Sequence, residues 1–406
     1  METRNVSLRD RLRALRAGDS FPGRPSPDRP PGTAPKERPA PVPGDPERGP
    51  GAVFPAGWEG EGWVYTRTLF LPRPSLRGDP LVFFPGLDQA PEESSLLFYD
   101  LETTGLSGGA GTTAFLAGVG ELVPGAFKLT QIFLADYPGE PEFLARLQEL
   151  LPSSRIWVSY NGRAFDTNLL KTRFLLNGLP FSPGPQLDLL YPARRLFKSL
   201  LPDCSLTTLE RRVLRKPRGR DIPGAFIPAR YFYYLSSGRA EELSDVFTHH
   251  CRDILSLAEL YGHIPALLAD PSSGVLSGEY DPLGAAGWLM GHRNHPRLFA
   301  LGLEHLRQAY LRQVPGAGLK LARFYARRAE GDRAFRIWQE LFQQGRDYAS
   351  GLALAKDLEH RQKDDSAALG VTEELLSLFG GTRGLPELLK RQARLKARLS
   401  RPGPPG

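Results

Sequence analysis

Cysteine is nearly absent. Cys204 and Cys251 are the whole supply in 406 residues, which excludes a disulfide framework and fits a reducing cytoplasm. No apolar run approaches the roughly 20 residues that a membrane helix needs, so no membrane partner is expected. The basic N-terminus lacks an apolar signal core, which argues against secretion. The glycine-rich stretch Gly108-Gly109-Ala110-Gly111-Thr112-Thr113 lacks the Gly-Lys-Ser/Thr ending of a phosphate-binding P-loop. It is read instead as a turn whose glycines would let a substrate backbone come close.

What is present is basic and segmented. Lys and Arg number 52 against 45 Asp and Glu, a formal net charge of +7, which favours an anionic partner such as nucleic acid. Residues 5–17 have the composition of a short basic helix or a frayed end. Residues 19–52 are rich in Pro, Gly and charge and bury too little apolar surface to offset ordering entropy. Residues 1–52 are therefore expected to be a disordered N-terminal segment. From Val53 an aromatic, β-rich lead-in begins. Apolar runs broken by Gly and Pro then predict strands at 96–101, 112–122, 127–135, 155–160 and 187–190. Amphipathic spacing predicts helices from Pro138 to Leu151, over 164–177 and over 240–261. Three strands, a helix, a strand, a helix, a strand and a helix predict an α/β domain over 53–270, a mixed five-stranded sheet flanked by helices.

After residue 271 the pattern is wholly helical. Gly331-Asp332-Arg333-Ala334 and Asp364-Asp365-Ser366-Ala367 stand 33 residues apart, each between two amphipathic helices. That period suits tetratricopeptide-type helix pairs, with residues 284–313 as a degenerate first pair. Residues 271–400 are thus expected to be an all-α, tetratricopeptide-like domain and the place to recruit a protein partner.

Three segments carry acidic side chains in suggestive settings. Asp100 and Glu102 end the first predicted strand two positions apart and so face the same side. Two like charges there are costly unless a cation sits between them, and carboxylate oxygens suit magnesium or manganese. Ser159-Tyr160-Asn161-Gly162-Arg163-Ala164-Phe165-Asp166 joins the fourth strand to the next helix. His249 and Asp253 lie four apart on a late helix and share its face. Zinc at His249-His250-Cys251 is discounted, because adjacent residues on one helix point apart.

The three segments in this order resemble the exonuclease motifs of the DEDD (DnaQ-like) superfamily of 3′–5′ exonucleases. Between the second and third, Leu187-Asp188-Leu189-Leu190-Tyr191-Pro192, Ser205-Leu206-Thr207-Thr208-Leu209-Glu210 and Arg220-Asp221-Ile222-Pro223-Gly224 resemble the bacterial YprB-like family. That resemblance implies a ribonuclease H-like fold followed by tetratricopeptide-like helices. It also implies two divalent cations, magnesium or manganese, held by Asp100, Glu102, Asp166 and Asp253, and phosphodiester hydrolysis from single-stranded 3′ ends of DNA or RNA. His249, four residues before Asp253, stands where the superfamily has Tyr and offers a general base. Thr103, Asn161, Arg194, Arg195 and Arg220 are expected to touch substrate. Arg211, Arg212, Arg215, Lys216 and Arg218 form a further cluster fit to follow a phosphate backbone. Of Tyr231, Phe232, Tyr233 and Tyr234, at least half are expected in the core, the rest free to stack bases. A non-catalytic nucleic-acid-binding scaffold and a ribonuclease H-like endonuclease or resolvase are the alternatives.

Overall fold

A computed structural model describes residues 54–105, 111–219, 221–379 and 384–401. The expectations for residues 1–52, for Gly108, Gly109 and Ala110 of the glycine turn and for Arg220 lie outside the described residues. Seven strands form one mixed sheet: β1 (Glu59–Glu61), β2 (Val64–Pro72), β3 (Leu96–Thr103), β4 (Ala114–Val123), β5 (Ala126–Leu134), β6 (Ile156–Ser159) and β7 (Gln186–Asp188). Their order across the sheet is β1-β2-β5-β4-β3-β6-β7. The five expected strands are β3 to β7. The correction is at the edge, where the aromatic lead-in supplies two more. β2 pairs antiparallel along β5, from Val64 opposite Leu134 to Pro72 opposite Ala126, and β1 folds back on β2.

Strand alternation explains where the site lies. Leu97, Tyr99 and Leu101 of β3 point to one face and pack with Phe143, Leu144 and Tyr231. Leu96 and Phe98 point to the other, with Val158, Ile254, Leu257 and Tyr261. Asp100 and Glu102 continue that second row. The helices covering the faces are α1 (Glu140–Leu150), α2 (Asp166–Leu176), α3 (Leu190–Phe197), α4 (Leu206–Arg212), α5 (Ile227–Ser237) and α6 (Ser244–Ala269).

The long helix α6 crosses β3 and β4 closely because β4 offers no side chain there. Gly118 pairs with Asp100. A Cβ on Gly118 would lie 2.2 Å from Ile254 Cδ1 and 2.6 Å from His250 Cε1.

The remaining chain is helical: α7 (Pro271–Ser277), α8 (Pro282–Gly291), α9 (Pro296–Leu311), α10 (Ala317–Ala326), α11 (Gly331–Gly345), α12 (Tyr348–Asp357), α13 (Asp365–Phe379) and α14 (Leu385–Leu399). Pro at the first helical position and Asp side-chain caps at Asp270 and Asp281 start α7 and α8. Each helix from α8 onward packs on the next. This region docks on the sheet domain. The Asp281 amide donates to the Leu196 carbonyl at 2.7 Å, and a Cβ on Gly284 would strike the Arg195 carbonyl oxygen at 1.9 Å. Among the described residues, no helix is long and apolar enough to cross a membrane.

Candidate active site

The ends of β3 and β7, the start of α2 and the middle of α6 bring acidic groups to one place. The β3–β4 ladder shifts register between Glu102 and Thr103, and such a bulge re-aims the side chains beside it. Glu102, His249 and Asp253 each offer one ligand atom, and these atoms lie within 4.8 Å of one another. Asp100 and Asp166 are outside that tight triad but close enough to act on it. Burial first, then the charges of Asp166, Asp253 and Glu102, hold the Asp100 carboxyl well above the usual carboxylate range. Burial, then Asp253 and Asp166, do the same to Glu102. Burial and the neighbouring Asp188 push Asp166 up to about 7. Asp253 is raised by burial against the opposing pull of His249 and Arg218. Four carboxyl groups that resist ionising together form a site that gains by taking up cations and releasing protons.

The turn before α2 is built for close approach. Asn161 adopts a left-handed backbone, φ 65°, and its amide donates to Asp188 Oδ1 at 2.7 Å. A Cβ on Gly162 would stand 2.9 Å from Asp166 Oδ2, so glycine leaves room for that carboxylate. Asp188 also accepts from the Leu190 amide at 3.0 Å. Asn161 is thus fixed through its backbone. Thr103 donates its hydroxyl to the Gly105 carbonyl at 2.8 Å, which closes the turn after β3.

His249 is buried, with Asp221 and Arg218 at one ring nitrogen and Asp253 at the other. Its Nδ1 lies 3.0 Å from Asp221 Oδ1, and its Nε2 lies 3.5 Å from Asp253 Oδ2. With Nδ1–H donated to Asp221, the Nε2 lone pair faces the acidic triad, the arrangement of an imidazole that binds a cation or takes a proton. His250, on the next face of α6, is fully buried, and that burial pulls its pKa down to about 3. The neutral ring accepts from Gln131 Nε2 at 2.9 Å and donates Nε2–H to the Asp100 carbonyl at 3.0 Å. It ties α6 to β3 by a bond rather than joining the triad.

Arg218 corrects the expectation of a surface cationic cluster. Its side chain is 8% exposed and ion-pairs with Glu210, Asp221 and Asp253. Arg215 pairs with Glu279 at 3.2 Å, and Lys216 pairs with Glu259. Three of these cations are therefore committed to acids. Arg194 and Arg195 are exposed on α3. Tyr231 and Tyr234 are core residues, whereas Phe232 and Tyr233 are about half exposed. A cleft of about 1190 Å³ opens beside Asp221, lined among others by Phe226, Arg230, Tyr233 and Arg252.

The sequence assigned no role in the site to Asp188, Glu210 or Asp221, and read Arg218 only as part of a surface cluster following phosphate. Asp188, Glu210 and Asp221 stood inside the quoted family-like segments, which was their one signal.

Comparison with known proteins agrees with this geometry. The model of the RNase_H superfamily matches residues 97–264, the span from β3 to α6 that carries Asp100, Glu102, Asp166, Asp188, Glu210, Asp221 and Asp253. The sheet and the site thus define a domain of the RNase H-like nuclease superfamily. Protein YprB of Bacillus subtilis (strain 168) is 33% identical over 324 residues, covering 76% of this chain and 76% of that protein. The chain belongs to the YprB family. Among solved structures, the family B DNA polymerase from the hyperthermophilic archaeon Pyrobaculum calidifontis matches with a TM-score of 0.36 and 14% identity, over 56% of this chain and 33% of that one.

Proposed function

We propose that the chain is a metal-dependent 3′–5′ exonuclease that removes nucleoside 5′-monophosphates from single-stranded or frayed ends of nucleic acid. The observation that carries this is the Glu102–His249–Asp253 triad, with Asp221 behind the imidazole. The donor set fits hard divalent cations: half-buried carboxylates repel one another and one nitrogen lone pair faces them. Asp100, Glu102, Asp166 and Asp253 would hold magnesium or manganese. When bound, such ions supply charge neutralisation at the scissile phosphate and an acidified water.

The chain's own groups do the rest. Asp221 orients His249, and His249 Nε2 receives the proton of the attacking water. The water oxygen bonds to phosphorus as the bond to the 3′ oxygen breaks, and a proton returns to that oxygen. Arg218 offsets the negative charge behind Asp253. Exposed Phe226 and Tyr233, in the cleft beside Asp221, suit stacking of terminal bases, and Arg194 and Arg195 suit phosphate. On this view residues 53–270 are the catalytic domain of a cytoplasmic enzyme. Residues 271–400 are its tetratricopeptide-like domain and bind a protein partner.

One observation favours a second reading. Arg218 already places a cation in the acidic cluster, as a metal-free scaffold that binds nucleic acid without cutting it would need. The test is digestion of end-labelled DNA and RNA, single- and double-stranded, with magnesium, manganese or EDTA. An exonuclease gives a metal-dependent ladder from the 3′ end, which Asp100→Ala abolishes. His249→Ala slows it by about 10²-fold. Internal cuts would point to an endonuclease, and normal cleavage by Asp100→Ala would reject the site.

A further inference from the structure

Helices α8, α9 and α10 enclose a groove of about 710 Å³ well away in sequence from the acidic site. Five cations line it, Arg293, Lys320, Arg323, Arg327 and Arg328, and no acidic residue does. All five are exposed. None of them forms an ion pair with an acidic side chain among the described residues, unlike Arg215, Lys216 and Arg218. Lys320, Arg323 and Arg327 recur at i, i+3 and i+7, on one face of α10 and its C-terminal turn. Like charges a turn apart weaken a helix instead of supporting it, so the array costs stability unless an anion is bound. Phe299 and Phe324 form part of the wall, with the Arg328 guanidinium 4.8 Å and 4.9 Å from their ring centres.

We propose that this groove is a second nucleic-acid site, which holds the phosphate backbone of a single strand whose 3′ end lies in the acidic site. The proposal rests on the nuclease reading for the identity of its polyanion. Two features favour nucleic acid over an acidic peptide. Four of the five cations are Arg, whose planar guanidinium grips phosphate bidentately and stacks on bases. The groove's wall α8 also packs directly on α3, which starts just after Asp188 and carries exposed Arg194 and Arg195. The helix that follows Asp188 thus carries exposed cations and packs on the groove's wall.

The test uses the full chain in EDTA, so that binding is read without cleavage. Fluorescence anisotropy follows a labelled oligothymidylate of about 24 nucleotides across a salt series, where each phosphate contact contributes about −0.7 to the slope of log K on log salt. Combining Arg323→Glu with Arg327→Glu should weaken binding at least about tenfold and flatten that slope by about 1.4, the share of two contacts. Cleavage of a tetranucleotide, too short to span both sites, should be unchanged in magnesium. Unaltered affinity and slope in the variant would overturn the groove. So would tighter binding of poly-glutamate than of the oligonucleotide, which would assign it to an acidic protein. Photo-crosslinking of wild-type protein to a 4-thiothymidine strand decides independently of how the variant folds. Adducts on peptides bearing Phe299 or Phe324 support the site, and adducts confined to other peptides reject it. Variant-sensitive binding without any cleavage would keep the groove and sink the nuclease.

Discussion

Arg218 is the residue on which the electrostatics of the site turn. Its guanidinium is shared among Glu210, Asp221 and Asp253. Removing it leaves Glu210 buried with Ser256 Oγ, at 2.5 Å, as its remaining side-chain partner among the described residues. Breaking a buried pair on one side costs about 3–5 kcal/mol, so Arg218→Ala should lower the melting temperature sharply in EDTA. A divalent cation would restore part of the missing positive charge. Magnesium should therefore raise the melting temperature of Arg218→Ala more than that of wild type, through ordinary binding linkage. Equal increments in the two proteins would show that Arg218 and the metal do not share a task. Arg218→Lys, which keeps the charge and loses the fork, should fall between. The same residue shows what sequence could not convey. In the run from Arg211 to Arg220 its charge looks like that of its neighbours, because burial leaves no mark in composition. Asp100, Glu102, Asp166, His249 and Asp253 were legible because each sits at a telling position: a strand end, a strand-to-helix turn, a shared helix face. Glu210, Asp188 and Asp221 act through long-range packing and had no such local sign.

At the level of elements, the fit of α6 against β3 and β4 sets the relation between Asp100, on the strand, and Asp253, on the helix. That fit depends on the missing side chain at Gly118, since the neighbouring Ile254 is fully buried and the His250 ring is bonded at both nitrogens. Gly118→Ala should cost about 1–3 kcal/mol by overpacking, read as a lower urea midpoint with unchanged slope. It should also reduce nuclease rate, because the helix bearing His249 and Asp253 must move. The control is Gly287→Ala on α8, where a Cβ meets nothing within 4 Å. There, helix propensity alone acts, and stability should rise by up to about 1 kcal/mol. If both variants lose stability equally, the close crossing at Gly118 is not what matters. The five strands β3 to β7 were legible from their apolar runs, and so was the helix order between them. The strands β1 and β2 were not placed in the sheet. Glu59–Glu61 is wholly exposed and polar. β2 shows alternation, but its partner β5 lies well on in the chain, Val64 pairing with Leu134 70 residues later, a pairing that no local pattern announces. The all-helical character of the tail was legible in its amphipathic pattern, and from α8 onward each helix there packs on its sequence neighbour.

Across the whole molecule, α6 is the shared beam: its first half carries His249 and Asp253, and its last turn meets the helical region. The joint is His305 of α9, fully buried. Its Nε2–H donates to the Leu268 carbonyl at 3.2 Å, and its Nδ1 accepts from the Tyr280 hydroxyl at 3.0 Å. A ring donating through one nitrogen and accepting through the other must be neutral, and burial pulls its pKa down to about 4 from an ordinary value near 6.5. Between those two values the unfolded chain binds the proton and the folded chain does not. Stability from this joint is therefore complete above about pH 6.5, falls as the solution is acidified, and is gone once pH reaches about 4. The full span is worth about 3 kcal/mol. His305→Gln supplies an amide donor and a carbonyl acceptor without a titrating ring. Urea unfolding of both proteins at pH 7.5 and 4.5 should show the variant losing about 2–3 kcal/mol less than wild type on acidification. Other buried groups, His250 and the acidic cluster included, titrate alike in the two proteins and drop out of the difference. Identical losses would mean that His305 is already charged in the fold. The union of nuclease domain and helical region would then rest on apolar packing and on the Asp281–Leu196 contact instead.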